Sequence, residues 1–336
     1  MKAVGYRRPL IIDDIHALED ISLAEPELHD HDIRVDVQAV SVNPIDTKLR
    51  MRPLNTPDYR VLGFDAAGIV NAVGPEVRGF KVGDRVWYAG DIRRQGSNAQ
   101  QQCVDARLVA HKPSSLGMQE AAALPLTALT AWQAIEDQMG FVPGADNRAN
   151  TLLIIGGAGG VGAIATQLAA HYFGLTVIAT AGNGRSATWC QAMGAHHVVN
   201  YRHDLVKQVR ALGVEHVSGI LNTQDLNDYW SPMCELIAPL GALCALVDAR
   251  GPLDLNPLKP KSARFSWEFM FSRALHDHHP ERQGERLSAL ATLVDQGTVQ
   301  STISESLGPI CADNLKHAHR CIEQGHTIGK LVLAGW

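Results

Sequence analysis

The clearest chemistry in this sequence is carried by an apolar run that ends in clustered glycines, Leu152-Leu-Ile-Ile-Gly-Gly-Ala-Gly-Gly-Val-Gly162. Gly157, Gly159 and Gly162 fit the pattern G-x-G-x-x-G, with Ala158, Gly160 and Val161 completing the loop. In that pattern the first glycine permits a tight turn, the second lets the backbone approach a pyrophosphate, and the third lets helix and strand pack closely. The free N–H groups of the next helix would face the phosphate charge. The context supports the motif. A strand-like run precedes it, Val161, Ile164, Ala165, Leu168 and Ala169 share one helical face after it, and Thr176–Thr180 reads as the next buried strand. The unit therefore reads as a dinucleotide-binding βαβ.

The residues just beyond the motif bear on which dinucleotide is bound. A site for NAD carries an Asp or Glu at the end of its second strand, where it binds the ribose 2′-hydroxyl. From Asn147 through His203 this chain has no acidic residue, whereas Arg148, Arg185 and Arg202 lie in the span. An acid would repel a 2′-phosphate, and an arginine pairs with it in fork geometry. The segment Gly182-Asn183-Gly-Arg185 thus leans to NADP(H), the alternative being that Arg185 is a solvated helix-start residue.

Other reactive residue types form no comparable pattern. The six cysteines are scattered without a C-x-x-C pair, which fits reduced thiols in a cytosolic protein rather than a disulfide framework or zinc ribbon. Among the fifteen histidines, His276-Asp-His-His279 is dense, and His29/His31 and His317/His319 are spaced by two. Residues two apart point to opposite sides of a strand and about 200° apart on a helix, so neither spaced pair is a ready chelate. Exposed loop histidines are the expected reading, an opportunistic metal site at His276–His279 being the alternative.

The elements that must position these residues divide the chain. Its 336 residues suggest two domains, and 46% hydrophobic with 19% charged residues is the composition of a globular protein. No apolar run reaches the ~20 residues of a membrane helix. Nothing at the N-terminus resembles an export signal, and a net charge of −5 without a basic block argues against nucleic acid as a partner. The first ~120 residues read as β-rich, with strands over Ile33–Val42, Gly63–Val70 and Val82–Tyr88. A serine cap at Ser114-Ser115 would start a helix at Met118, and Leu129, Trp132, Ile135 and Met139 recur at helical spacing. After the loop 143–150, strands at His197–Asn200, Val217–Asn222 and Leu240–Val247 alternate with helices, predicting a parallel, doubly wound sheet. A helix over Arg282–Gln296 and a final strand–helix–strand (Ser301–Leu307, Ala312–Gln324, Ile328–Leu333) complete the pattern.

Several motifs now speak together: Ser41-Val-Asn-Pro-Ile-Asp-Thr-Lys48, Gly63-Phe-Asp-Ala-Ala-Gly68, Val82-Gly-Asp-Arg-Val86, Leu124-Pro-Leu-Thr-Ala-Leu-Thr-Ala-Trp132, the glycine loop, and Gly329-Lys-Leu-Val332. In this order, over the whole length, the chain resembles the medium-chain dehydrogenase/reductase superfamily. Within it the resemblance is to the quinone oxidoreductases, in the branch labelled zinc-type alcohol dehydrogenase-like. The resemblance implies a GroES-like β-barrel catalytic domain (1–122 and 301–336), a Rossmann NADP(H)-binding domain (123–300), an active site in the cleft, and a homodimer formed by strand addition near Ala263–Trp267.

The zinc of the label finds no ligands. Alcohol dehydrogenases that resemble this chain place a cysteine where it has Asn43 and a Gly-His-Glu where it has Gly63-Phe-Asp65, and they carry a four-cysteine lobe of which only Cys103 could remain. A catalytic zinc needs three good ligands, so neither catalytic nor structural zinc is expected. Asp65 is then expected to be a buried carboxylate bonded to backbone or to a basic residue. The resemblance further implies Thr127 at the nicotinamide, Tyr201 near the 2′-phosphate, Asn222 and Thr223 along the ribose–nicotinamide segment, and Lys330 reaching the cofactor. Thr127 could instead cap its helix, and Lys330 could be a solvated strand residue.

The implied activity is hydride transfer from NADPH to a quinone or another electron-poor carbonyl in the cytoplasm. Enone or alkenal C=C reduction and crystallin-like NADPH binding without turnover are the alternatives. Such acceptors take hydride readily, so a hydrogen-bond donor can replace a metal at the developing oxyanion. Asn43, at the vacated ligand position, is the first candidate, with Asp46, Tyr59 and Tyr88 behind it. Asn43-Pro44 could equally serve a turn.

Overall fold

The computed structural model describes residues 1–336, which form two compact units: Met1–Leu126 with Phe271–Trp336, and Thr127–Met270. The N-terminal part of the first unit supplies β1 (Lys2–Tyr6), β2 (Glu19–Ser22), β3 (Asp32–Ser41), α1 (Pro44–Arg50), β4 (Arg60–Val61), β5 (Asp65–Val73), β6 (Arg85–Tyr88), β7 (Gln101–Asp105), β8 (Val109–His111) and α2 (Met118–Ala122). Helix α3 (Pro125–Gln133) leads into the second unit, which holds β9 (Thr151–Ile155), α4 (Gly160–Gln167), β10 (Thr176–Ala181), α5 (Gly184–Ala192), β11 (His197–Asn200), α6 (Leu205–Ala211), β12 (Val217–Asn222), α7 (Leu226–Leu236), β13 (Ile237–Ala245) and β14 (Arg264–Trp267). The chain then returns to the first unit with α8 (Ser272–Leu275), α9 (Glu281–Asp295), β15 (Ile303–Ser306), α10 (Ala312–Glu323) and β16 (Lys330–Ala334).

The first unit is a sheet ordered β15-β16-β3-β5-β6-β8, with β7 also on β3, beside a small sheet β2-β1-β4. Strand β3 alternates as its sequence demands: Ile33, Val35 and Val37 point inward, while Arg34 and Asp36 lie nearer solvent. Register shifts between β3 and β5 bend this pair, which is how a sheet curls toward a barrel. The second unit is one parallel sheet, β11-β10-β9-β12-β13-β14. Its order reverses between β9 and β12, so the glycine loop after β9 and Asn222-Thr223 after β12 meet at a topological switch point, where such sheets bind ligands.

Three local expectations shift. The units meet at residues 126/127 and 270/271, and so differ from the expected division because α9 belongs to the barrel side. Gly284 lies against the Arg107 and Val109 carbonyls, where a Cβ would come within 2.7 and 2.8 Å of them. Ser114 and Ser115 do not cap α2; they donate to Asp295 at the end of α9, and Gly117 starts the helix with its N–H on Glu120. The helical repeat through Met139 is real but widens into a π turn over Ala134–Gln138.

Candidate active site

In the second unit, packing explains two of the three motif glycines and leaves the third open. A Cβ on Gly157 would lie 2.7 Å from the Ala179 Cβ, and one on Gly162 2.7 Å from the Gly157 Cα. At Gly159 the nearest atom to an added Cβ is the Gly156 carbonyl, 3.5 Å away. That open side is the cradle a pyrophosphate would fill, next to the first-turn N–H groups of α4, which have no intrahelical acceptor. The left-handed turn belongs to Gly156 (φ +84°) and not to Gly157. Thr180 fixes the loop by accepting from Gly156 N at its Oγ1 (2.9 Å) and from Gly157 N at its carbonyl (3.1 Å).

Beyond β10, Asn183 caps α5, accepting from Ser186 N at 2.9 Å, so its side-chain oxygen serves the helix. The Tyr201 hydroxyl packs onto Gly182, where any Cβ would collide with it. Arg185 is exposed in the first turn of α5, whereas Arg148 pairs with Asp146 at 3.0 Å, away from this group. Asn222 is fully buried; its Oδ1 accepts from Gln224 N at 3.0 Å and its Nδ2 has no partner. Buried amides are rarely left so, and a ligand at the strand end would satisfy it. Thr223 donates its hydroxyl to Ile155 O at 2.8 Å, and its Oγ1 lies against the glycine loop, where a Cβ on Gly156 would collide with it. The residues present fit a dinucleotide.

The first unit holds a buried polar cluster. Asn43 begins α1, and its N–H donates to Asp46 Oδ2 (2.8 Å). Asp46 Oδ1 accepts from Gly63 N (2.9 Å). Asp65, at the start of β5, accepts at Oδ2 from Ser41 Oγ (2.7 Å), Asn43 Nδ2 (2.8 Å) and Lys330 Nζ (3.1 Å). Its Oδ1 accepts from Leu126 N (2.7 Å) in the first turn of α3, so the cap comes from Asp65 and Thr127 lies inside the helix. Lys330 Nζ also donates to Val42 O (3.0 Å) and to Asn43 Oδ1. Burial pushes the Asp46 carboxyl up to about 7 despite its two N–H bonds and the Lys330 charge. Burial also lowers the Lys330 pKa, against the pull of Asp65.

This cluster corrects several expectations. Lys330 is not a solvated strand residue: it is 3% exposed and gives its three N–H groups to Val42 O, Asn43 Oδ1 and Asp65 Oδ2. Asp46 supports the start of α1 with one oxygen and holds Gly63 N, ahead of β5, with the other. Tyr59 donates to Glu19 (3.1 Å) with Arg7 over its ring, and Tyr88 is buried in the barrel core with its hydroxyl unpartnered; neither bonds to the cluster. Ser41 and the Leu126 N–H join it without having been expected to, although both lie within sequence motifs of the family. Nor do the residues fit a catalytic zinc. Phe64 offers no lone pair and packs against Phe271 (4.9 Å), and an ammonium already sits on Asp65. No group of three or more His, Cys, Asp or Glu side chains is placed to hold a metal.

Two family models match, an alcohol dehydrogenase GroES-like domain over residues 29–133 and a zinc-binding dehydrogenase over 193–333. A zinc-type alcohol dehydrogenase-like protein of Staphylococcus aureus is 41% identical over 337 residues, 99% of each chain. The chain belongs to the medium-chain dehydrogenase/reductase superfamily. Among solved structures, one from Rhizobium etli, described provisionally as a zinc-dependent alcohol dehydrogenase, is 43% identical with a TM-score of 0.95, covering 100% of this chain and 98% of that one. The Escherichia coli quinone oxidoreductase in complex with NADPH shares the fold, with a TM-score of 0.83 at 24% identity over 99% and 100% of the two chains. As a member of this superfamily the chain is an oxidoreductase. It combines a Rossmann unit with a GroES-like unit, and no helix is long and apolar enough to cross a membrane.

Proposed function

We propose that this oxidoreductase uses NADPH without zinc and reduces quinones or similar electron-poor carbonyl compounds. The observation that carries the reading is the Lys330 ammonium bonded to Asp65 and Asn43, at positions where relatives bind a metal. NADPH supplies the hydride when bound. The first-turn N–H groups of Gly160, Val161 and Gly162 would hold the pyrophosphate, and Gly159 leaves room for it. Tyr201 and Arg185 would meet the 2′-phosphate, and no carboxylate between Asn147 and His203 opposes that charge. The orphan Nδ2 of Asn222 would donate toward the ribose–nicotinamide segment, and Thr127 would meet the nicotinamide end.

In the other unit, Asn43 Nδ2 donates one hydrogen to Asp65 and keeps a second. That N–H would donate to the acceptor oxygen as its charge develops, which is enough for a quinone or enone and too little for removing hydride from a simple alcohol. NADPH consumption measured with quinones and enones, and NADP⁺ reduction measured with simple alcohols, all in chelator, tests the reading. Turnover with the first two classes supports it. Rapid alcohol oxidation overturns it, and binding without turnover leaves a nucleotide-binding protein.

A further inference from the structure

We infer that Lys330 is the built-in cation of this centre and a positioning residue that sets which way the Asn43 amide faces. An ammonium only donates, so the amide atom it bonds must be the Asn43 oxygen; a carboxylate only accepts, so the atom facing Asp65 must be the nitrogen. Together the two charges remove the choice of orientation that a lone amide has. Neither charge can turn away. Lys330 is also tied to Val42 O, and Asp65 to Ser41 Oγ and, through its other oxygen, to Leu126 N. The Asn43 backbone is held in turn by Asp46. The second hydrogen on Nδ2 is then the one side-chain donor of the Ser41–Asn43–Lys330 set without a protein acceptor. Relatives place a metal's charge here; this chain places a lysine's, and it acts on substrate only through Asn43.

The inference rests on the reading of Asn43 as the oxyanion donor, so its test has one arm that needs no turnover. In ¹⁵N spectra, the Asn43 side-chain NH₂ pair, identified by its loss in Asn43→Asp, should exchange slowly with solvent. In the charge-neutral pair Lys330→Met with Asp65→Asn, residue 65 can donate to the Asn43 oxygen, and the amide should turn over, with its NH₂ resonances displaced and exchanging faster. An unchanged pair overturns the inference whatever the enzyme reduces. In the kinetic arm, Lys330→Met alone should lower kcat at least tenfold while the dissociation constant for NADPH stays within about twofold. The double variant should regain thermal stability and keep the low kcat, whereas Lys330→Arg, which keeps the charge, should recover part of it. Return of wild-type kcat together with stability would make Lys330 merely structural. A tenfold loss of NADPH affinity in Lys330→Met would place it on the cofactor instead. Failure of the wild type to reduce any quinone or enone, with the NMR result as expected, would count against the proposed reaction and leave the positioning role supported.

Discussion

Replacing His319 by leucine should make the protein more resistant to acid, by an amount the structure fixes. His319 lies on α10, fully buried, with both ring nitrogens unpartnered. Burial, and then the charge of the buried Arg50, push its pKa from 6.5 to about 3. Arg50 is itself engaged with Leu10 O and Glu323, so no carboxylate is left over to offset a proton on the ring. Between pH 6.5 and 3 the unfolded chain binds more protons than the folded one. The stability from keeping this ring neutral is therefore complete above pH 6.5 and is lost as pH falls toward 3, at ~1.4 kcal/mol per unit. Two units below 6.5, at pH 4.5, the loss is ~2.7 kcal/mol. Asp46 works in the opposite sense. Its folded pKa of about 7 lies above the ordinary 3.8, so its contribution is full below 3.8 and disappears as pH rises to 7. The two slopes offset each other in the wild type, and only the difference between variant and wild type isolates the histidine. Urea unfolding of both proteins at pH 7 and 4.5 should show leucine ahead by ~1–3 kcal/mol at pH 7, from removing two unsatisfied nitrogens, and by ~2.7 kcal/mol more at pH 4.5. A gap that does not change between the two pH values would refute the reasoning.

The remaining expectations concern ligands and assembly. NADPH should bind more tightly than NADH, and Arg185→Ala should cost NADPH roughly tenfold to a hundredfold in affinity; titration by tryptophan fluorescence checks both, and equal affinities for the two cofactors would remove the charge argument. Asn43→Ala should lower kcat ~10²-fold with NADPH binding nearly intact, an unchanged kcat returning Asn43 to a turn role. Activity should survive exhaustive chelation, and elemental analysis should find no stoichiometric zinc; about one zinc per chain with activity lost on its removal would mean the ligand set is misread. The chain should form a homodimer through the sheet edge β14, where Trp267 is 44% exposed; light scattering should give twice the chain mass and Trp267→Glu should lower it, while a wild-type monomer would discard this interface.

How far the fold could be read in the residues depended on how local its determinants are. The βαβ unit is written in consecutive positions, because strand alternation, glycine packing and helix periodicity act within a few residues of one another. Gly162 against Gly157 is such a case. The boundary near residue 301 failed for the converse reason. Helix α9 has the same apolar face whichever unit it covers, and its place is decided by Gly284 meeting the carbonyls of Arg107 and Val109, over 170 positions away. Ser114 and Ser115 misled in the same way, since a capping serine and a serine bound to Asp295 look alike in sequence.

The site divides along that line as well. The expected partner types of Asp65, backbone and a basic residue, were legible, because a buried carboxylate without a metal has few other ways to be satisfied. Which basic residue answers it was not, since Lys330 lies 265 positions away at the start of the last barrel strand. Taken alone, a lysine in Gly-Lys-Leu-Val reads as a solvated strand residue or one that reaches the cofactor; with β16 paired to β3, its ammonium is bonded to Val42, Asn43 and Asp65. Asp65 in the barrel interior needs a cation beside it, and this chain provides that cation as part of its own covalent structure. Removing the lysine alone should therefore destabilise the fold by ~3–5 kcal/mol, as for one partner of a buried pair, and urea unfolding of Lys330→Met would show it. A loss below ~1 kcal/mol, the worth of a solvent-exposed pair, would mean that water rather than Lys330 satisfies Asp65.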